Sequence, residues 1–379
     1  MSFWPENEPA RERIKRMLSR VADYLQDVAL LPALSGHEQK MAEYMKSAFE
    51  AQRLHIETDT FGNCIATCPG TEQSAPGIMI FAHMDSLGFV VRYIEPDGFL
   101  RLERLGGIPE KVLPATQVVV TCRDGRVLPG VIGIKQHHVT PPEEKYVVDK
   151  YMSLFVDIGA RSKEEVLANG IDIGSPIVYK PTFQRLRGTK AALSWGDNRG
   201  GCAVLLELAH LLNETPHACT VYLVGTVQEE FNLRGAMMAT RTAKPHIAIG
   251  LDCGGNADTP DLFGRGDVRL GAGPTMFLYN FHGRGTLNGT IGHPAMIWLA
   301  EEAALRKAIP LQRTASIGVL TDLSYAQLEG TGLKAVDLGF PLRYAHSPHE
   351  VLDIKDLDAL GALVADLVCH IDGDTGFDR

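Results

Sequence analysis

Four short apolar runs constrain this chain of 379 residues more than any other feature. GIMIFA (77–82), TVYLVGTV (220–227), IAIGL (247–251) and KAVDLGF (334–340) lack the polar alternation of a strand with one wet face. A strand without alternation is buried on both sides, and helices between such strands are what cover it. Those helices are legible in RGGCAVLLELAHLL (199–212), apolar nearly all round, and in AMIWLAEEAALRKA (295–308), ended by Pro310. A last one, 354–370, puts Leu357, Leu360, Val364, Leu367 and Val368 on one face. Near the start, helical stretches 11–27 and 37–51 are separated by Pro32, Ser35 and Gly36. The pattern predicts an α/β fold whose sheet is covered on both faces.

The texture changes after Ser86. VVRYI and FLRLER flank the turn Glu95-Pro96-Asp97-Gly98, and QVVVTC and VLPGVIGI flank Arg123-Asp124-Gly125-Arg126, which are two hairpin signals. Short β runs persist to about Lys180, interrupted by one helix with Ser162 as cap, Glu165 completing a capping box and Gly170 behind it. A β-rich block inside an α/β chain reads as an inserted small barrel. The domain division is then 1–86 and 183–379 for the α/β part, with the insertion at 87–182.

Composition removes several function classes. Hydrophobic residues at 45% and charged residues at 22% are ordinary for a globular protein and exclude a disordered or fibrous chain. A net charge of −9 without a basic block argues against a nucleic-acid or anionic-membrane surface. No apolar run is long enough to span a bilayer, and MSFWPENEPARERIKRML lacks the apolar core of a signal peptide. Seven scattered cysteines fit a reducing, cytoplasmic setting with no disulfide framework. Cys64 and Cys68 form the only close pair, and without a second pair they read as reduced thiols near a strand end.

The chemistry lies where acids and histidines meet the buried strands. His83 and Asp85 follow GIMIFA, Glu229 and Glu230 follow TVYLVGTV-Gln228, and Asp252 ends IAIGL. His346 comes just after the 334–340 run, and Asp197 precedes the buried helix in the segment WGDNRGG. Ligands of open α/β sheets bind beyond the carboxyl ends of the strands, where these residues can converge. Imidazoles and carboxylates together suit divalent transition metals such as a zinc pair. Two ions roughly 3.5–4 Å apart need a bridging anion, and Asp197 at a rigid helix start can serve. Glu229 is placed to take a proton from an activated water, and Asp85 to hold His83 from behind.

Six blocks in order make the chain recognisable: LSGHEQKM, AHMDSLGFVV, VDIGARSKEEVLANGIDIGSP, GDNRGGCAVL, TVQEEFNLRGA and FPLRYAHSPHEVLDIKDL. It resembles the M42 family of metallo-aminopeptidases, the group of glutamyl aminopeptidase, TET and FrvX-like proteins. The resemblance implies a zinc-peptidase-like three-layer α/β catalytic domain with a small β-barrel inserted after the AHMD block. Carried over by motif, His83 and Asp252 hold one metal, Glu230 and His346 the other, and Asp197 bridges them. Glu229 matches the general base and Asp85 the partner of His83. The cofactors implied are two divalent ions, zinc first, with cobalt or manganese acceptable to the same donors. Short peptides are the implied substrates. The implied assembly is a homo-oligomer, with dimers made through the inserted 87–182 domain and tetrahedral dodecamers built from them.

Departures from the family pattern bear on substrate preference. Asn198 stands where a second Asp is common, Cys253-Gly254-Gly255 follows Asp252 in place of Val-Thr, and Gly318-Val319-Leu320 precedes Thr321-Asp322 where the family is Gly-rich. His137 and His138, read as strand neighbours, would face opposite ways, although in related proteins a loop histidine of this domain approaches a neighbouring subunit's site. His282 and His293 are candidates for the substrate cleft, His349 reads as solvent-facing, and Gly283-Arg284-Gly285 lacks a phosphate-helix signature.

Three other functions stay open on the residues alone. A di-metal deacylase of N-acyl amino acids uses the same chemistry. A glycosidase built on Glu229 and Glu230 would need carboxylates about 5–9.5 Å apart across a sugar and leaves both histidines unexplained. A catalytically idle assembly protein would show a lost ligand or base, and none is lost.

Overall fold

The computed structural model describes residues 19–282 and 289–377. Residues 11–18 of the first helical stretch and the Gly283-Arg284-Gly285 segment lie outside the described residues. Helix α1 (Arg20–Val28) begins at Ser19, whose hydroxyl accepts the N–H of Ala22. Helix α2 (Gln39–Ala51) buries Met41, Met45 and Phe49, four residues apart and so on one face. Strands β1 (His55–Thr58), β2 (Cys64–Cys68) and β3 (Ile78–His83) follow.

The insertion supplies β4 (Gly88–Ile94), β5 (Leu100–Leu105), β6 (Gln117–Thr121), β7 (Val127–Ile132), β8 (Phe155–Asp157), helix α3 (Lys163–Ala168) and β9 (Pro176–Tyr179). Its strands close a barrel in the order β4-β5-β8-β7-β6-β9, with β9 pairing back onto β4. Alternate residues fill it, Phe89 and Val91, Leu100 and Leu102, Val118 and Val120, as the two-residue strand period requires. Ser162 caps α3 through the N–H of Glu165, but the Glu165 carboxylate reaches back to the N–H of Arg161, one residue earlier than a capping box would place it. His137 and His138 are not on a strand. They sit in an exposed 3-10 turn with ring centroids 5.7 Å apart, because β7 ends at Ile132 and Pro141-Pro142 supply no N–H groups for a ladder.

The rest of the chain runs β10 (Phe183–Arg185), β11 (Lys190–Leu193), α4 (Gly196–Glu214), β12 (Val221–Thr226), α5 (Gly235–Ala243), β13 (Ile247–Gly255), β14 (Thr275–Phe281) and β15 (Gly289–Ile291). It continues through α6 (Pro294–Arg306), β16 (Gln312–Ile317), the single turn α7 (Leu323–Ala326), β17 (Lys334–Leu342), β18 (Glu350–Asp353) and α8 (Ile354–Cys369). The main sheet has the order β1-β2-β12-β3-β13-β17-β14-β15, with β16 beside β14. Its centre, β12-β3-β13-β17, is parallel, β2 and β14 run antiparallel to that centre, and β16 pairs parallel with β14. Strands β10, β11 and β18 form a separate small sheet.

The apolar run of β3 now has its cause. Ile78, Ile80 and Ala82 face the large core under α1, α2, α4, α6 and α8, whereas Met79 and Phe81 face a second core under α5 and α7. Burial of each isoleucine, methionine and phenylalanine side chain among these contributes about 1.5–3 kcal/mol relative to exposure. Helix α4 is apolar all round because it packs between the sheet and helices α1 and α8. Among the described residues, no helix is long and apolar enough to cross a membrane.

Candidate active site

Parallel register brings the acids and histidines to one edge. Ile78 of β3 pairs with both Val221 of β12 and Ile247 of β13, so the three strands emerge level at their carboxyl ends. His83 closes β3, and Glu229 and Glu230 follow β12. Asp252 is not at its strand's end, since β13 continues to Gly255 and pairs Asp252 with Gly339 of β17. A Cβ at Gly339 would lie 1.8 Å from the Asp252 carbonyl oxygen, so only glycine permits that pairing. Asp197 enters from the start of α4, and His346 from the turn between β17 and β18. Trp195, Gln228 and His346 all have left-handed backbone, with φ of 59°, 57° and 67°. Strained non-glycine residues of this kind persist where the surrounding structure holds them, commonly at sites of function.

Asp197 stands in the middle. Its Oδ1 lies 3.0 Å from His83 Nε2, and its Oδ2 lies 3.5 Å from His346 Nε2. On the first side, His83, Glu229 and Asp252 each offer one donor atom within 4.8 Å of the others, and on the second, Asp197, Glu230 and His346 do the same. Both imidazoles are oriented from behind. His83 Nδ1 is 3.2 Å from the Asp85 carbonyl and 3.5 Å from its carboxylate, and His346 Nδ1 is 2.6 Å from the Gly107 carbonyl of the inserted barrel. With Nδ1–H donating to a carbonyl, each Nε2 is turned toward the carboxylates and can offer its lone pair to a cation once it gives up its proton.

Four carboxylates here face two imidazoles. Burial, and then repulsion from the neighbouring carboxylates, hold Glu229 and Asp252 well above the usual range. Burial likewise lifts Glu230, to about 7. Burial would lower both histidines, but Glu229, Asp197 and Asp85 hold His83 well above its ordinary value, and Asp197 and Glu230 carry His346 to about 10. Burial opposes ionisation of Asp197, yet His346 and His83 overcome it and keep it strongly acidic. Glu230 Oε1 is buried without a hydrogen bond, 4.0 Å from His346 Nε2. An orphaned carboxylate oxygen in an acid-rich cluster of oxygen and nitrogen donors fits divalent cations.

Two further acids join the site: Glu350, which no sequence signal marked, and Asp322, known from the sequence only as part of the Thr321-Asp322 segment. Glu350, 1% exposed, accepts the backbone N–H of Asp197 at 2.9 Å through Oε2 and that of His346 through Oε1. Asp322, buried below His83, accepts the Thr226 hydroxyl at 2.7 Å. Neither stands beside an apolar run long enough to draw notice, which is why only the fold places them at the site. Asn198 is turned away, donating to the Leu251 carbonyl and accepting from the Gly201 N–H. The buried guanidinium of Arg199 ties the chain together by donating to the carbonyls of Met84 and Leu31.

Above the cluster lies a cavity of about 470 Å³. His282 and Cys253 line it, whereas His293, at the start of α6, is not among its lining residues. His349 is exposed, and Cys64 and Cys68 are buried thiols pushed up to about 12 by burial.

A profile of the M42 glutamyl aminopeptidases matches residues 62–363. The SgcX protein of Escherichia coli (strain K12) is 40% identical over 334 residues, 88% of this chain and 89% of that protein. An aminopeptidase from the archaeon Desulfurococcus kamchatkensis has a TM-score of 0.87 at 32% identity, over 94% of this chain and 97% of that one. The TET1 peptidase of Pyrococcus horikoshii, which can assemble into a tetrahedron or a large octahedral shell, has a TM-score of 0.81 at 28% identity, over 93% and 100%. These likenesses define a peptide hydrolase of the aminopeptidase type. The chain belongs to the M42 family.

Proposed function

We propose that this protein is a di-metal aminopeptidase that removes N-terminal residues from short peptides. The observation that carries the reading is Asp197, whose two oxygens face His83 and His346 from opposite sides. In this reading His83 and Asp252 would hold one ion and Glu230 and His346 the other, with Asp197 placed to serve both. Zinc is the first choice, and the donors also accept cobalt or manganese. Ions bound there would polarise the scissile carbonyl and acidify an attacking water.

The chain's own residues do the rest. Glu229, its carboxylate 3.9 Å from His83 Nε2, takes the proton from the attacking water and returns it to the leaving amine. Asp85 fixes the backbone of Glu229 and Glu230 together with His83. Glu350 fixes the backbone of Asp197 and His346.

The inserted block, residues 87–182, is the dimerisation domain in this reading. Between β7 and β8 it exposes Ile134, Val139, Tyr146, Val147 and Met152, a run of large apolar side chains that monomers rarely leave open to water. Dimers of this kind are the units of larger closed shells, consistent with the assembly of the TET1 relative. The setting is cytoplasmic.

Hydrolysis of aminoacyl p-nitroanilides and of N-acyl amino acids tests the proposal, with chelated and metal-reloaded protein compared. Metal-dependent release from free-amine substrates is expected. Activity confined to N-acylated substrates would transfer the protein to the deacylases, and silence on both with metal bound would make it an assembly protein.

A further inference from the structure

The charged side chains that line the cavity over the cluster all belong to the cluster. Among its described lining residues these are Asp197, Glu229, Glu230, Asp252 and His346. The wall beyond is made by Leu233, Cys253, Val319, Leu320 and Tyr325, with Asn232 and His282 as its polar points. Leu233 is buried and Val319, Leu320 and Tyr325 are half-buried, so these groups are held rather than free to swing aside. The end of β13 contributes Gly254 and Gly255 to the same lining, and a Cβ at Gly255 would meet nothing within 4 Å. The cavity is open beside Gly255, and the apolar side chains of the wall decide what fits.

We infer that the side-chain pocket of this aminopeptidase selects an uncharged, apolar N-terminal residue such as leucine or methionine. The inference rests on the aminopeptidase reading and names its substrate class. An aliphatic side chain against this wall leaves water at no polar cost. A glutamate or aspartate side chain would find no Lys or Arg among the described lining residues, and its carboxylate would be desolvated without a partner. A lysine or arginine side chain would find only the cluster's carboxylates, whose charge two bound divalent ions would already offset. Leucine, methionine and alanine substrates thus gain contact, whereas charged ones lose hydration.

The test is kcat/KM over Leu-, Met-, Ala-, Glu- and Lys-p-nitroanilide with metal-loaded protein. Calorimetric binding of the matching dipeptides to the Glu229→Gln protein gives a second readout. Leu and Met should exceed Glu and Lys at least tenfold in both. Leu320→Lys should shift the ratio toward Glu at least tenfold, and if that variant does not fold, the wild-type panel decides alone. A wild-type preference for Glu or Lys, or equal rates across the panel, overturns the pocket assignment while leaving the aminopeptidase reading in place. No hydrolysis of any free-amine substrate removes both.

Discussion

Asp85 accepts the backbone N–H of Glu229 through Oδ1 at 3.0 Å. Its other oxygen accepts the N–H of Glu230 at 3.1 Å and the Ser35 hydroxyl at 2.6 Å. Burial alone would neutralise this carboxyl, but His83, Ser35 and the Glu229 N–H keep it ionised. One side chain therefore fixes the proposed general base, a proposed ligand and the imidazole of another. Asp85→Asn replaces an acceptor with an NH₂ that faces an N–H or O–H donor. An unsatisfied buried pair costs about 1–3 kcal/mol, so the variant should melt earlier and lose more than tenfold in kcat, measured by calorimetry and p-nitroanilide hydrolysis.

Glu229→Gln keeps the shape and removes the carboxylate proposed as the base. A positioned general base contributes about 10²–10⁴-fold, and kcat should fall by that amount while metal content, read by mass spectrometry, stays at the wild-type level. Loss of metal in this variant would make Glu229 a ligand instead.

Glu350 links Asp197 to His346 through their backbones, so it bears on both sides of the cluster. Glu350→Gln can accept only one of the two N–H groups. Loss of an outer-shell partner typically lowers metal affinity about 10–100-fold, which competition with a chromophoric chelator will read. Unchanged affinity would show that the two backbone bonds serve folding alone.

Glu38 gives a pH signature away from the ligands. Its Oε1 accepts the N–H groups of Gly36 and Gln228, and burial, reinforced by Asp85, raises it from 4.5 to about 7. The folded protein thus keeps a proton that the unfolded chain releases above pH 4.5. This carboxyl is neutral to the fold below that pH and increasingly unfavourable from 4.5 to 7, by up to about 1.4 kcal/mol per pH unit. Glu38→Gln retains an acceptor for both N–H groups, so its stability relative to wild type should rise across that window in denaturant melts. A constant difference would contradict the assignment.

The apolar run on the barrel yields a test of assembly. Tyr146 is 95% exposed and Val147 64%. Tyr146→Glu with Val147→Glu should reduce the particle mass to that of a monomer in light scattering, with the thermal transition of the catalytic part unchanged. An unaltered mass would place the contact elsewhere.

The parts of the fold that could be read from sequence are those with long, one-sided or two-sided burial. Strand β3 betrays itself because Met79 and Phe81 need a second core as much as Ile78 and Ile80 need the first. The residues after such strands, His83, Asp85, Glu229 and Glu230, are visible for the same reason. Sheet direction is not visible: β2 and β14 are as apolar as their parallel neighbours, and only the connections make them antiparallel. Strands β10, β11 and β18 are three or four residues long, too short for a period to show. Glu350 begins one of them and looks like any loop acid until the fold folds it under Asp197. Gly107 contributes a carbonyl, which no side-chain motif records. His137 and His138 were misjudged because hairpin texture was extended past the true end of β7.

Zinc titration of the chelated protein, followed by hydrolysis of Leu-p-nitroanilide, tests the central claim most directly. If Asp197 joins two ions that serve Glu229, activity is absent at the start and rises to a plateau at two equivalents per chain. Full activity in the chelated protein, or no activity at any zinc level with both ions bound, would contradict it.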